Sequence, residues 1–129
     1  MLTSEKLMAF VCTTNPDLAR AFYRDTLGLR LLSEDHFALV FDSGGVTLRV
    51  ALAKEIVPAK YTVLGWQVKD IRQTVLALKQ AGVTFEIYGF FKQDELGIWT
   101  APSGDQVAWF KDPDGNTLSV SQHVPLNHA

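Results

Sequence analysis

Apolar and polar residues alternate or recur along the chain in a way that predicts strands and helices in a fixed order. Lys6 to Thr13 is a short apolar run of strand character. Asn15-Pro-Asp17 then reads as a helix start: Asn caps, Pro occupies the first turn where no N–H is needed, and Asp favours the positive end of the dipole. Leu18, Phe22 and Thr26 fall on one helical stripe, with Ala19, Tyr23 and Leu27 beside it, and Gly28 stops the helix. Leu29 to Ser33, Phe37 to Phe41 and Val46 to Leu52 follow as strands, the last two joined by a turn at Asp42-Ser-Gly-Gly45.

The order then repeats. Tyr61 to Val68 is a strand, Asp70 caps a helix with Ile71, Val75 and Leu78 on its apolar face, and Gly82 ends it. Val83 to Tyr88 is a further strand. Gln106 to Lys111 and Thr117 to Gln122 form a hairpin around Asp112-Pro-Asp-Gly-Asn116, where Pro113 presets φ and Gly115 supplies a positive φ. The expectation is α+β, with two βαβββ modules in tandem in one domain spanning residues 1–129. Module one covers about 6–57 and module two about 60–123. Two copies are too few for a solenoid. The segment Gly89 to Asp105 is longer than its counterpart and carries Phe90, Phe91, Trp99, Asp94 and Glu95. A long aromatic loop in a small domain points to function, or else covers a sheet edge.

Composition narrows the function classes. The 129 residues are 47% apolar with a formal net charge of −2. Acids and bases are interspersed, so no basic face invites nucleic acid. No run approaches the ~18 apolar residues of a membrane span, and the first residues do not read as a signal peptide. The single cysteine, Cys12, excludes an internal disulfide and fits a reducing cytoplasm, where it reads as a small strand hydrophobe.

The segments Asn15-Pro-Asp-Leu-Ala-Arg-Ala-Phe-Tyr-Arg-Asp-Thr-Leu-Gly-Leu29, Gln67-Val-Lys-Asp-Ile71, Lys79-Gln-Ala-Gly82 and Phe110-Lys-Asp-Pro-Asp-Gly-Asn-Thr-Leu118 resemble the vicinal-oxygen-chelate superfamily, the glyoxalase/bleomycin resistance protein/dioxygenase family. The resemblance covers residues 6 to 123. It implies paired βαβββ modules whose mixed sheets curl around a cavity, and a homodimer whose cavities both subunits complete. Family enzymes hold a divalent metal through four His, Gln or Glu side chains on the first and last strand of each module. Those positions fall here on Met8, Arg49, Val63 and Ser119, and a shift of one residue produces no ligand at any of them. None suits such a metal, and Arg49 opposes a cation because guanidinium keeps its proton. The expectation is no metal and no cofactor.

Strand alternation sorts the remaining side chains. Met8, Phe10, Cys12, Thr47, Arg49 and Ala51 share the cavity face of module one; Val63, Gly65, Gln67, Thr117, Ser119 and Ser121 share that of module two. Leu7, Val11, Leu48, Val50, Leu64, Trp66, Val68, Leu118 and Val120 should pack on the helices. Apolar walls with a few polar groups describe a small-molecule pocket. The ligand-binding candidates are Arg49, Met8, Phe10, Val63, Gln67, Trp99, Ser119 and His36; no catalytic residue is assigned. Arg49 either meets a ligand carboxylate or phosphate or forms an ion pair with Glu34, Asp35 or Asp42. His36 is a general base or a solvated residue. Of the other histidines, His123 and His128 sit in the C-terminal tail. Trp99, Trp109, Phe90 and Phe91 stack on a ligand or serve packing. Lys111 and Asp114 serve the turn.

The resemblance implies a metal-independent binding protein, like the bleomycin-resistance branch, sequestering a drug or metabolite. The alternative is a divergent lyase, isomerase or dioxygenase of the same superfamily, working through His36, Cys12 or Glu86. A third reading is a module whose sheets only dimerise. Glyoxalase I and extradiol chemistry are disfavoured because both need the missing ligands.

Overall fold

A computed structural model describes residues 1–125; His128 lies outside the described residues. The chain divides into two compact units: Met1–Pro58 with Asp112–Asn116, and Ala59–Lys111 with the chain from Thr117 onward. Each holds one four-stranded mixed sheet. Among the described residues no helix is long and apolar enough to cross a membrane.

In the first unit, β1 (Met8–Thr13) is followed by α1 (Pro16–Arg20) and then by β2 (Arg30–Glu34), β3 (Ala38–Ser43) and β4 (Val46–Leu52). The sheet order is β1-β4-β3-β2, with β1 parallel to β4 and the other pairs antiparallel. The β3–β4 turn has positive φ at both Gly44 and Gly45, which suits the right-handed twist of the strands it joins. Val11, Leu39, Phe41, Leu48 and Val50 are buried on one face of the sheet, and α1 packs against β3 there. Leu7, expected on this face, precedes β1 and is exposed.

The first helix departs from a plain 3.6-residue period. Asn15 caps it, accepting from Leu18 N (3.2 Å). After Arg20 the chain widens into a π-helical stretch, Ala21–Thr26, closed by Leu27 N donating to Phe22 O. The expected stripe through Leu18 is not the buried one. Leu18 is 52% exposed, whereas Ala19 and Tyr23 are fully buried. Tyr23 sits 5.8 Å from the Phe41 ring, centroid to centroid.

Tyr23 also anchors a polar clasp. Its hydroxyl donates to Asp112 Oδ2 (2.6 Å), which also accepts from Asn116 Nδ2 (2.8 Å). The other oxygen, Oδ1, accepts from Asp114 N (3.0 Å) and Asn116 N (2.9 Å). Burial, then the Asp112 carboxylate beside it, pushes the Tyr23 phenol well above its ordinary pKa. Asn116 Nδ2 donates to Cys12 O (3.0 Å), and Asp114 accepts from Thr13 Oγ1, Thr14 N and Thr14 Oγ1. Asp114 thus serves more than its own turn: it holds the end of β1.

In the second unit, β5 (Thr62–Gln67) leads through α2 (Ile71–Gln80) to β6 (Trp99–Thr100), β7 (Gln106–Lys111) and β8 (Thr117–Gln122), in sheet order β5-β8-β7-β6. Asp70 caps α2, accepting from Gln73 N (3.1 Å). Ile71 and Val75 are buried with Phe85, Ala108, Phe110, Leu118 and Val120. The expected strand Val83–Tyr88 reduces to one bridge, Phe85 to Phe110, beside Glu86 N donating to Trp109 O (2.8 Å). Two of its other backbone groups are taken by a side chain. Gln93 Oε1 accepts from Tyr88 N (2.7 Å), and Gln93 Nε2 donates to Glu86 O (2.9 Å) and Gly97 O (2.8 Å). The rest of the β7 edge goes to β6, formed from the long loop.

Two outcomes are expected from the clasp. Tyr23→Phe removes one donor from a buried carboxylate and lowers stability by about 2 kcal/mol, read by denaturant unfolding. Burial works to raise the Asp114 carboxyl, but its hydrogen bonds from Thr13 and Thr14 outweigh that and hold it below the ordinary range. A lowered folded pKa contributes stability that is present above the unfolded pKa, roughly 4, and lost as pH falls through the folded value. Asp114→Asn is therefore less stable than wild type at neutral pH, and the gap closes in acid; a gap independent of pH refutes this.

Candidate functional site

Each sheet has a face turned away from its helix, and the candidate residues divide between these two faces. On the first, β1 contributes Met8, Phe10 and Cys12, all exposed, and β4 contributes Thr47, Arg49 and Ala51. Phe10 and Val40 are the cross-strand partners of Arg49, so the guanidinium stands in an apolar row. Met8 pairs with Thr47, one step along.

Arg49 makes no ion pair or side-chain hydrogen bond among the described residues. Its expected partners are engaged elsewhere or stand apart. Glu34 binds Arg20 through both oxygens. Asp35 accepts from Phe37 N (2.7 Å) and Ala38 N (3.0 Å); these bonds, with smaller contributions from Arg49 and His36, hold its carboxyl below the ordinary range. No bond joins Asp42 to Arg49. His36 is exposed in the turn between β2 and β3.

The second face carries more chemistry. Val63 lies at a register shift between Thr62 and Leu64 and is partly exposed. Beyond it Gly65 pairs with Ser119 and Gln67 with Ser121. A Cβ on Gly65 would lie 2.7 Å from Ser119 Oγ, so this pair tolerates no larger residue on β5 unless Ser119 moves. Across the hairpin, Ser119 pairs with Trp109 and Ser121 with Val107, whose partner on β6 is Trp99.

The rings on this face form one cluster. Phe91 stacks on Trp109 with centroids 5.2 Å apart and planes 4° from parallel, and lies 4.6 Å from Trp99. Trp99 and Trp109 are 6.1 Å apart. Tyr88 meets Trp109 edge-on at 5.5 Å and stacks on Phe90, which is 79% exposed. Burial, then the nearby Glu86 charge, raises the Tyr88 phenol. The sequence nominates four of these rings singly; the three-bond grip of Gln93 on the loop gathers them, and Tyr88 is found only in the structure.

At one end of the same face lies a chain of three polar groups. Ser121 Oγ is 2.9 Å from His123 Nε2, and His123 Nδ1 is 3.1 Å from Asp105 Oδ2. Away from it, a cleft of about 440 Å³ includes Val83, Phe85, Ile87 and Leu96 with Lys79 and Glu95.

Residues 7–120 match the Glyoxalase/Bleomycin resistance protein/Dioxygenase superfamily. The chain belongs to this superfamily. Its fold resembles that of TnmS3, an antibiotic binding protein from Streptomyces sp. CB03234, with a TM-score of 0.73 and 21% identity over 96% of this chain and 99% of that one. It also resembles lactoylglutathione lyase from Agrobacterium tumefaciens, with a TM-score of 0.71 and 18% identity over 92% and 93% of the two chains. A superfamily member from Sphaerobacter thermophilus DSM 20745 gives 0.73 and 21% over 95% and 100%. At these identities the likeness is one of fold. No curated protein matches the sequence.

The superfamily's metal does not fit the residues here. A thioether, a guanidinium, an isopropyl group and a hydroxyl stand at Met8, Arg49, Val63 and Ser119. Among the described residues no group of three or more His, Cys, Asp or Glu side chains could hold a metal ion.

Because Arg49 makes no ion pair among the described residues, Arg49→Gln is expected to leave stability within about 0.5 kcal/mol of wild type. A larger loss in thermal or denaturant unfolding would reveal a structural role for the charge.

Proposed function

We propose that this chain is a metal-independent small-molecule binding protein of the glyoxalase/bleomycin resistance superfamily, sequestering a planar drug or metabolite in a pocket that a second copy completes. The five-ring cluster of the second unit carries this reading. Rings that stack at 4° and leave Phe90 open offer flat apolar area at little cost in side-chain freedom. Gln67, Ser119 and Ser121 add polar groups to orient a ligand on that face; on the first sheet, taken by itself, Arg49 has no ion-pair partner among the described residues and suits a carboxylate or phosphate. His36, in its exposed turn, is the least supported of the binding residues.

Open apolar side chains at Met8, Phe10 and Val63 favour a homodimer. The antibiotic-binding function of TnmS3 supports a binding role by analogy of fold. The donor set argues against the superfamily's metal-dependent lyase, isomerase and dioxygenase chemistry. The lone thiol of Cys12 suits the cytoplasm.

The test is fluorescence titration with planar aromatic compounds, anthraquinone sulfonate first. Saturable quenching of the tryptophans is expected, and Phe91→Ala should weaken binding by roughly 0.5–1.5 kcal/mol. Absence of saturable quenching across a planar panel, or a Phe91→Ala variant that binds as wild type does, refutes the reading.

A further inference from the structure

We propose that Ser121, His123 and Asp105 form a nucleophilic triad that hydrolyses aryl esters held against the ring cluster. The choice of an aryl group rests on the ligand-binding reading above; the triad itself rests on its own geometry.

The sheet register assembles the three groups. Ser121 lies on β8, and His123 follows two residues later, on the same side of an extended chain. Gln106 pairs with Gln122, so one step further along the hairpin Asp105 comes opposite His123. The distances follow: 2.9 Å from Ser121 Oγ to His123 Nε2, and 3.1 Å from His123 Nδ1 to Asp105 Oδ2. The second carboxylate oxygen accepts from Val124 N (2.8 Å), which fixes the plane of the carboxylate. The Val124 N–H, then the His123 ring, holds the Asp105 carboxyl below the ordinary range, so it is ionised at neutral pH. An anionic Asp105 accepts a hydrogen bond from Nδ1–H, which leaves the Nε2 lone pair to accept from the Ser121 hydroxyl. This network selects the Nδ1–H tautomer.

The neighbours of Ser121 complete the site. Gln67 pairs with it on β5, on the same face, and its amide makes no hydrogen bond among the described residues. That N–H can donate to an ester carbonyl oxygen as negative charge develops there. On the other side, Val107 and then Trp99 lead from Ser121 to the rings. A scissile carbonyl at Ser121 thus has an amide donor on one side and apolar, aromatic surface on the other.

The chemistry balances with water as the only co-reactant. Ser121 Oγ bonds to the acyl carbon as its proton passes to His123 Nε2. The carbon–aryloxide bond breaks, and the phenol leaves with that proton. Water then adds to the acyl carbon, giving a proton to His123. The bond to Oγ breaks, the proton returns to Ser121, and the carboxylic acid departs. Ser121 and His123 are the catalytic residues; Asp105 positions His123.

The test uses the full chain with p-nitrophenyl benzoate, followed by nitrophenolate release, and a fluorophosphonate label located by mass spectrometry. Label on Ser121 is expected, with hydrolysis falling about 100-fold or more in Ser121→Ala and His123→Gln. Asp105→Asn should lower kcat with KM unchanged, and Asp105→Glu should restore part of the loss, which a merely structural hydrogen bond would not do. Tryptophan quenching by anthraquinone sulfonate is measured on every variant, and circular dichroism confirms folding. Unlabelled Ser121, or a Ser121→Ala variant that hydrolyses at the wild-type rate, overturns the triad whether or not quenching is seen. Label on Ser121 without quenching by any planar compound keeps the triad and removes the ring-cluster reading.

Discussion

A carboxylate taken out of water must be given donors, and the first unit is organised around that requirement at Asp112. Four hydrogen bonds meet its two oxygens, three from the turn Asp112–Asn116 and one from Tyr23, 89 residues earlier in the chain. A buried anion left short of donors costs several times what a neutral pair contributes. Hence the turn and the π-helical stretch are mutually dependent, and the turn groups with the first unit although β7 and β8 on either side of it belong to the second. Gly115 fits the same constraint. Its φ is 87°, and a Cβ there would come within 3.2 Å of Pro58.

What is legible in the sequence is what is decided locally. The caps at Asn15 and Asp70, the Gly44-Gly45 turn and the β7–β8 hairpin each need only a few neighbouring residues, and each is where the pattern puts it. Two elements differ because a partner outside the segment overrides the local pattern. Leu18 leaves the core because the neighbouring stripe of Ala19 and Tyr23 is the one held inward, where Tyr23 meets Asp112. The Val83–Tyr88 segment has good strand residues, yet Gln93 supplies a competing amide for its backbone. A glutamine in a loop gives no sign of that in advance.

The candidate site is legible residue by residue but not as an arrangement. Trp99, Trp109, Phe90 and Phe91 can be named from composition, and face alternation places Ser119, Ser121 and Gln67 together. That Trp99 pairs with Val107, and so reaches the Ser121 row, depends on β6, whose two residues carry no signal of their own. The same holds for Asp105 and His123, which lie just beyond the ends of β7 and β8. Only the hairpin register brings them opposite each other.

Gly65 and Ser119 set the geometry of the second face. A metal ligand at the Ser119 position would have to be a long side chain, His, Gln or Glu. Here a hydroxyl already lies 2.7 Å from where a Cβ on Gly65 would stand, and Ser119 is 8% exposed. A Cβ at Gly65 is therefore excluded while Ser119 keeps its position, and Val63 at the register shift carries no donor. One pair along, the polar side chains of Ser121 and Gln67 stand opposite each other. There the strands open toward the rings on one side and toward His123 and Asp105 at their end. Under the proposed binding function, a face built this way selects by aromatic contact and by oriented hydrogen bonds.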